Sequence, residues 1–230
     1  MPRALAIETS SRVGSLALVE DGHVLAEAEF PHGLAHAAGI VLMIDDLCRR
    51  QSWGPADLAL VYVSAGPGSF TGLRIGVTVA KTLAFGLGAK LVAVPSMRVL
   101  AENAPPEAQE VLVALDARRG QIYAARFDRQ ERGSPWREVE AAHVDTLADA
   151  LGRAGRPVHL LGDAVAAYRT ATEPIDGVIV ASESLSHPRA SVVGRLGWAM
   201  ARDGQWADPY RLKPIYLRPP EAEEKLVASV

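Results

Sequence analysis

Cysteine is almost missing from this chain. Cys48 stands alone among 230 residues, so no internal disulfide can form, and a reducing compartment suits the composition. Its place in an apolar helical pattern makes inert burial the simplest role for the thiol. A run of about 18 consecutive apolar residues is also lacking, which leaves no obvious membrane span. The opening Met1-Pro2-Arg3-Ala4 leads directly into a strand-like segment with no cleavage-type signal, so the chain is expected in the cytoplasm. Positive charge is not in excess. A net charge of −3 and a pI of 6.1 exclude a broad basic field for nucleic acid, so contact with RNA would have to come through a partner.

What is present is 49% hydrophobic content, ample for a sizeable core in one large domain or two small ones. Leu5 to Glu8, Ser15 to Glu20 and Val24 to Phe30 read as a β-meander, with Asp21-Gly22 as a hairpin turn. A related pattern returns at Val111 to Asp116 and Gln121 to Phe127. In each copy an apolar run ends in a carboxylate (Glu8, Asp116), a polar loop reaches a glycine (Gly14, Gly120), and a further strand follows. Either the chain is a duplicated α/β unit divided near Asn103-Ala104-Pro105-Pro106, with halves 1–104 and 105–230, or two hairpins coincide. Further strands are expected at Leu58 to Ser64, Leu91 to Val94, Val158 to Leu161 and Val178 to Val180. Helices are expected at His36 to Arg50, Leu73 to Leu87, Ser96 to Glu102, Val144 to Arg153, Ala164 to Thr170 and Pro188 to Arg202, with Pro188 in the first turn. Gly133 to Glu138 reads as loop, Glu221 to Val230 as a frayed tail, and core packing is the default for the four tryptophans. The order is α/β.

The most informative stretch is Gly66-Pro67-Gly68-Ser69-Phe70-Thr71-Gly72-Leu73-Arg74-Ile75-Gly76, where a strand turns into a long helix. Its glycines permit positive φ and close backbone approach, and Ser69 or Thr71 can cap the first helical turn. Such a turn can hold an anion or be purely structural. It lacks the Gly-Lys-Ser/Thr ending of a P-loop, and its third glycine falls one position late for the dinucleotide fingerprint.

Two helices carry apolar residues around more of their circumference than one sheet can cover. On the first, His36, Ile40, Met43 and Leu47 share a face, with Ala37, Val41, Ile44 and Cys48 on the adjacent one. On the second, Leu73, Val77, Ala80, Ala84 and Leu87 form a stripe, and Gly76, Ala80, Ala84 and Gly88 recur every fourth residue, a spacing that admits a second helix closely. Either all of this is buried in one chain, or a face is left for a helical partner. Each large apolar side chain that a partner covers would contribute about 1.5–3 kcal/mol.

Taken together, Leu5-Ala6-Ile7-Glu8-Thr9-Ser10-Ser11, the Gly66 to Gly76 string with Ala80-Lys81, Leu115-Asp116-Ala117-Arg118 before Tyr123, Leu161-Gly162-Asp163, and Pro214-Ile215-Tyr216-Leu217-Arg218 give nearly the whole chain a family likeness. The chain resembles the YeaZ-like TsaB family of tRNA threonylcarbamoyladenosine biosynthesis proteins. That resemblance implies an actin-like, sugar-kinase-like ATPase fold built from two duplicated α/β subdomains with mixed sheets. It implies no cofactor, and a non-catalytic role beside the catalytic subunit TsaD and the ATPase TsaE in making t6A on the adenosine following the tRNA anticodon. The implied contact with TsaD, or with a second copy in a homodimer, runs through His36, Ile40, Met43, Ile44 and Leu47 on the first helix and Leu73, Val77, Ala80 and Ala84 on the second. The vestige of a nucleotide or phosphate site would comprise Glu8, Gly66, Gly68, Ser69, Thr71 and Asp116.

The chain departs from the family at Glu8, where aspartate is usual, and at Gly162-Asp163-Ala164, which lacks a second glycine found in working ATPases of the fold. Both departures count against nucleotide binding. His32 and His36 have the spacing of a helical metal pair, but Pro31 and Gly33 oppose a regular helix through His32 and no third ligand is near, so no metal site is expected. Glu8 and Asp116 are open to two readings: an acid/base pair in an ATP-dependent phosphotransferase or hydrolase, or carboxylates that each tie down their own turn. Ser10, Ser11 and Ser69 have no neighbouring base, which argues against a serine hydrolase.

Overall fold

The computed structural model describes residues 1–31, 37–165 and 175–218. His32, His36, most of the helix expected at Ala164 to Thr170, and the tail from Glu221 lie outside them. The chain divides into two units. One comprises Met1–Val99 and His187–Pro214; the other comprises Leu100–Ser186 and the chain from Ile215. The division expected at 104 differs from this one because a late helix belongs with the first unit.

In the first unit, β1 (Arg3–Glu8), β2 (Val13–Glu20), β3 (His23–Pro31), β4 (Leu58–Gly66) and β5 (Lys90–Pro95) form one sheet in the order β3-β2-β1-β4-β5. β1–β2 and β2–β3 are antiparallel, while β4 and β5 run parallel to β1 and to each other. Asp21 (φ 50°) and Gly22 (φ 83°) make the tight β2–β3 turn. Side chains alternate across the sheet. Leu5, Ile7, Leu16 and Leu18 pack with α1 (Ala37–Arg50) and α2 (Phe70–Leu87). The smaller Ala4, Ala6 and Ala17 pack with the last helix, Ala190–Arg202. Helices α3 (Ser96–Ala101) and α4 (Leu147–Arg153) lie between, so this last one is α5.

Two glycines explain how closely α5 approaches the sheet. A Cβ on Gly197 would stand 2.4 Å from the Tyr62 ring, and one on Gly194 would stand 2.6 Å from Val19. The start of α5 is held from the sheet as well, since Ser15 Oγ accepts from Ala190 N–H (2.8 Å) and Glu27 from Ser191 N–H (2.8 Å). Helical residues begin at Ala190, after Arg189 as N-cap, so Pro188 lies outside the first turn where it was expected.

The second unit repeats the design. β6 (Glu110–Asp116), β7 (Ile122–Asp128), β8 (Arg137–Asp145), β9 (Val158–Leu161) and β10 (Val178–Val180) form a sheet in the order β8-β7-β6-β9-β10. Its antiparallel and parallel pairings match those of the first sheet strand for strand. This doubled order is that of the actin-like and sugar-kinase-like ATPase fold. β8 corrects the sequence reading, which had loop to Glu138 and helix from Val144. The helix starts only at Leu147, where Thr146 Oγ1 accepts from Asp149 N–H (3.1 Å). β8 is an edge strand fastened by charge: Arg137 grips Asp128 at 2.9 and 2.7 Å, and Arg126 meets Glu140 at 3.0 Å.

Candidate functional site

The turns that follow β1 and β4 meet inside the first unit. Glu8 closes β1 and is fully buried; its Oε1 accepts from Ser10 N–H, while Oε2 makes no hydrogen bond. Burial pushes the carboxyl above its ordinary range, opposed by the hydroxyls of Ser10 and Ser64. Ser64 and Ser96 share a 2.7 Å hydrogen bond, and Ser96 Oγ also accepts from Gly66 N–H (3.0 Å). Ser69 N–H donates to Ser10 O (2.7 Å), and Ser69 Oγ accepts from Gly72 N–H (3.3 Å) to cap α2. Gly66 has φ 114°, and a Cβ on Gly68 would lie 2.3 Å from Ser10 O.

A bound nucleotide, as working members of the fold hold, would need free backbone donors at this turn. The N–H groups of Gly66, Ser69 and Gly72 are already taken by Ser96, Ser10 and Ser69, and Glu8 has no surface. Those three donors are not available to a phosphate as arranged. Thr71 is exposed on the first turn of α2.

In the second unit Asp116 repeats the role of Glu8. Its Oδ1 accepts from Arg118 N–H (2.8 Å), and its own N–H donates to Asp163 Oδ1 (2.9 Å). Each carboxylate therefore ties down the residue two positions ahead, as one of the two sequence readings anticipated. Arg118 also approaches Asp116 Oδ2 at 3.6 Å, an exposed pair worth about 0–1 kcal/mol.

The two helices of the first unit correct the residue choice made from sequence. Ile40, Ile44 and Leu47 on α1, and Leu73, Val77, Ala80 and Ala84 on α2, are all buried, and Met43 is partly so. They face their own sheet because Leu5, Ile7, Leu16 and Leu18 need that cover. Gly76 on α2 serves the same chain: a Cβ there would stand 2.1 Å from Thr9 Oγ1, so its close approach is to the β1–β2 turn. By length and hydropathy alone α2 is apolar enough to cross a membrane, although Arg74 and Lys81 interrupt any continuous apolar run; its buried face packs on the sheet.

The apolar residues that do reach solvent are others. Val41 is 50% exposed, Leu42 71% and Phe85 69%. Phe85 meets Tyr210 edge-on at 5.8 Å, and Lys81 Nζ donates to Leu212 O (3.0 Å), holding the segment after α5 against α2. Helical spacing places Val41 with Ile44 and Cys48, on the face adjacent to that of Ile40, Met43 and Leu47. Knowing that the wide face (Ile40, Ile44, Leu47 and Cys48) is the inward one would have identified it.

Residues 33–210 match the TsaD family, described as tRNA N6-adenosine threonylcarbamoyltransferase. The tRNA threonylcarbamoyladenosine biosynthesis protein TsaB of Bacillus subtilis is 33% identical over 98% of this chain and 98% of its own length. That of Escherichia coli is 29% identical over 97% and 98%. Among solved structures, YeaZ from Pseudomonas aeruginosa superposes with a TM-score of 0.77 at 27% identity, over 94% of this chain and 100% of its own. With its doubled sheet and these relatives, the chain belongs to the TsaB family of tRNA threonylcarbamoyladenosine biosynthesis proteins, within the broader TsaD family.

Proposed function

We propose that this chain is a non-catalytic subunit in t6A formation on the adenosine following the tRNA anticodon, binding TsaD through the outward face of α1 and α2. TsaE joins the assembly, tRNA is met through the complex, and the isolated chain pairs with a second copy through the same face. One observation carries the reading: Val41, Leu42 and Phe85 stand exposed on helices whose other apolar residues are already used. Covering each would contribute about 1.5–3 kcal/mol, enough together to drive association. The turn at Gly66 to Gly72 supports the absence of a catalytic role, since the N–H groups of Gly66, Ser69 and Gly72 are spent within the chain.

Reconstitution tests the proposal. Purified TsaD, TsaE and tRNA, supplied with ATP and an activated threonylcarbamoyl donor, are expected to form t6A only when this chain is added, and the chain alone to turn over no ATP with magnesium. ATP turnover by the isolated chain, lost in Glu8→Ala, would replace this reading with that of an ATP-dependent phosphotransferase or hydrolase.

A further inference from the structure

Glu8 marks one end of β1; at the other end the first unit carries a groove of ≈ 540 Å³. Its lining includes the buried Leu58 and Leu60, the indoles of Trp198 and Trp206, and the cations Lys90 and Arg202. Trp206 is 42% exposed, which departs from the core packing expected for all four tryptophans. Lys90 Nζ lies 4.7 Å from the centre of its ring. Among the described residues Lys90 makes only that ring contact, and the Arg202 side chain has no hydrogen bond or ion pair. Among the described residues no carboxylate neutralises either cation, and two such cations beside an exposed indole favour an anion.

The two features together select the ligand. An inorganic anion would leave the indoles unused, and a neutral ring would leave the cations unused. The volume falls within the range of small-molecule sites, about 300–1,000 Å³. Indole stacks on any base, and Lys and Arg are the usual contacts to phosphate. We propose that this groove binds a nucleotide, its unstacked base against Trp206 and Trp198 and its phosphate on Lys90 and Arg202. The proposal uses no residue of the α1–α2 face and stands apart from the reading of that face. A nucleotide could arrive free or as part of a single-stranded RNA.

Calorimetry on the full chain with AMP, adenosine, inorganic phosphate and a single-stranded adenosine pentamer separates the outcomes. AMP or the pentamer is expected to bind at least tenfold more tightly than adenosine or phosphate. Trp206→Ala should weaken that binding about tenfold. The double variant Lys90→Gln, Arg202→Gln should bring AMP down to the level of adenosine, with the melting temperature unchanged because both side chains lie on the surface. A pentamer far tighter than AMP identifies RNA as the source; equal affinity identifies the free nucleotide. Silence with both probes at millimolar concentration, or binding indifferent to these three substitutions, overturns the proposal.

Discussion

Glu8 sits fully buried at the end of β1, and the groups around it are serines and backbone, not cations. Taking a carboxylate out of water without a counter-charge disfavours its ionised form, which is why its pKa rises above 4.5. The folded chain then holds a proton that the unfolded chain has released, over the interval from 4.5 up to the raised value. Stability from this site is therefore full below 4.5 and declines as pH climbs through the folded pKa, by about 1.4 kcal/mol for each unit of displacement. Glu8→Gln removes the titration and keeps an oxygen for Ser10 N–H. Urea unfolding at pH 5 and pH 8 should show the variant gaining on the native protein as pH rises; an equal difference at both pH values would contradict this account.

Among the elements, α5 shows how packing is set by what side chains omit. Gly194 and Gly197 bring its backbone against Val19 and Tyr62. Gly197→Ala, with its new methyl 2.4 Å from a fully buried ring, should cost about 1–3 kcal/mol. Gly152→Ala in α4 is the counterpart, because nothing lies within 4 Å there; it should stabilise by about 0.5–1 kcal/mol. Urea midpoints moving in opposite directions are the expected result. Much of this scale was legible in the sequence: the meander, the Asp21-Gly22 turn and the strand-to-helix junction at Gly66 follow from alternation and turn chemistry. β8 was not legible from its own residues, because an edge strand held by Arg137–Asp128 and Arg126–Glu140 pairs carries little apolar pattern. The repeat did carry the signal, since β6 and β7 copy β1 and β2 and the first copy has a third strand. The outward face of α1 and α2 was also hidden. Periodicity shows that a helix has two apolar faces, while the sheet decides which one it covers. Charged substitutions at Ala80 or Ala84 would consequently test the core and not an interface, because both are buried.

For the whole molecule, two sheets of identical order give the frame of an ATPase fold, while in the first unit the turn at Gly66 to Gly72 is tied to Ser96 and Ser10. Apolar surface remains on α1 and α2, and partner binding is the use proposed for it. The central claim is tested most directly by the affinity of TsaD for the double variant Leu42→Asp, Phe85→Asp, measured by calorimetry beside the native chain. Both side chains are mostly exposed, so the variant should melt within a few degrees of the native protein. The account predicts TsaD binding weakened at least a hundredfold, and t6A formation falling with it. Native-like affinity from a folded variant would contradict it.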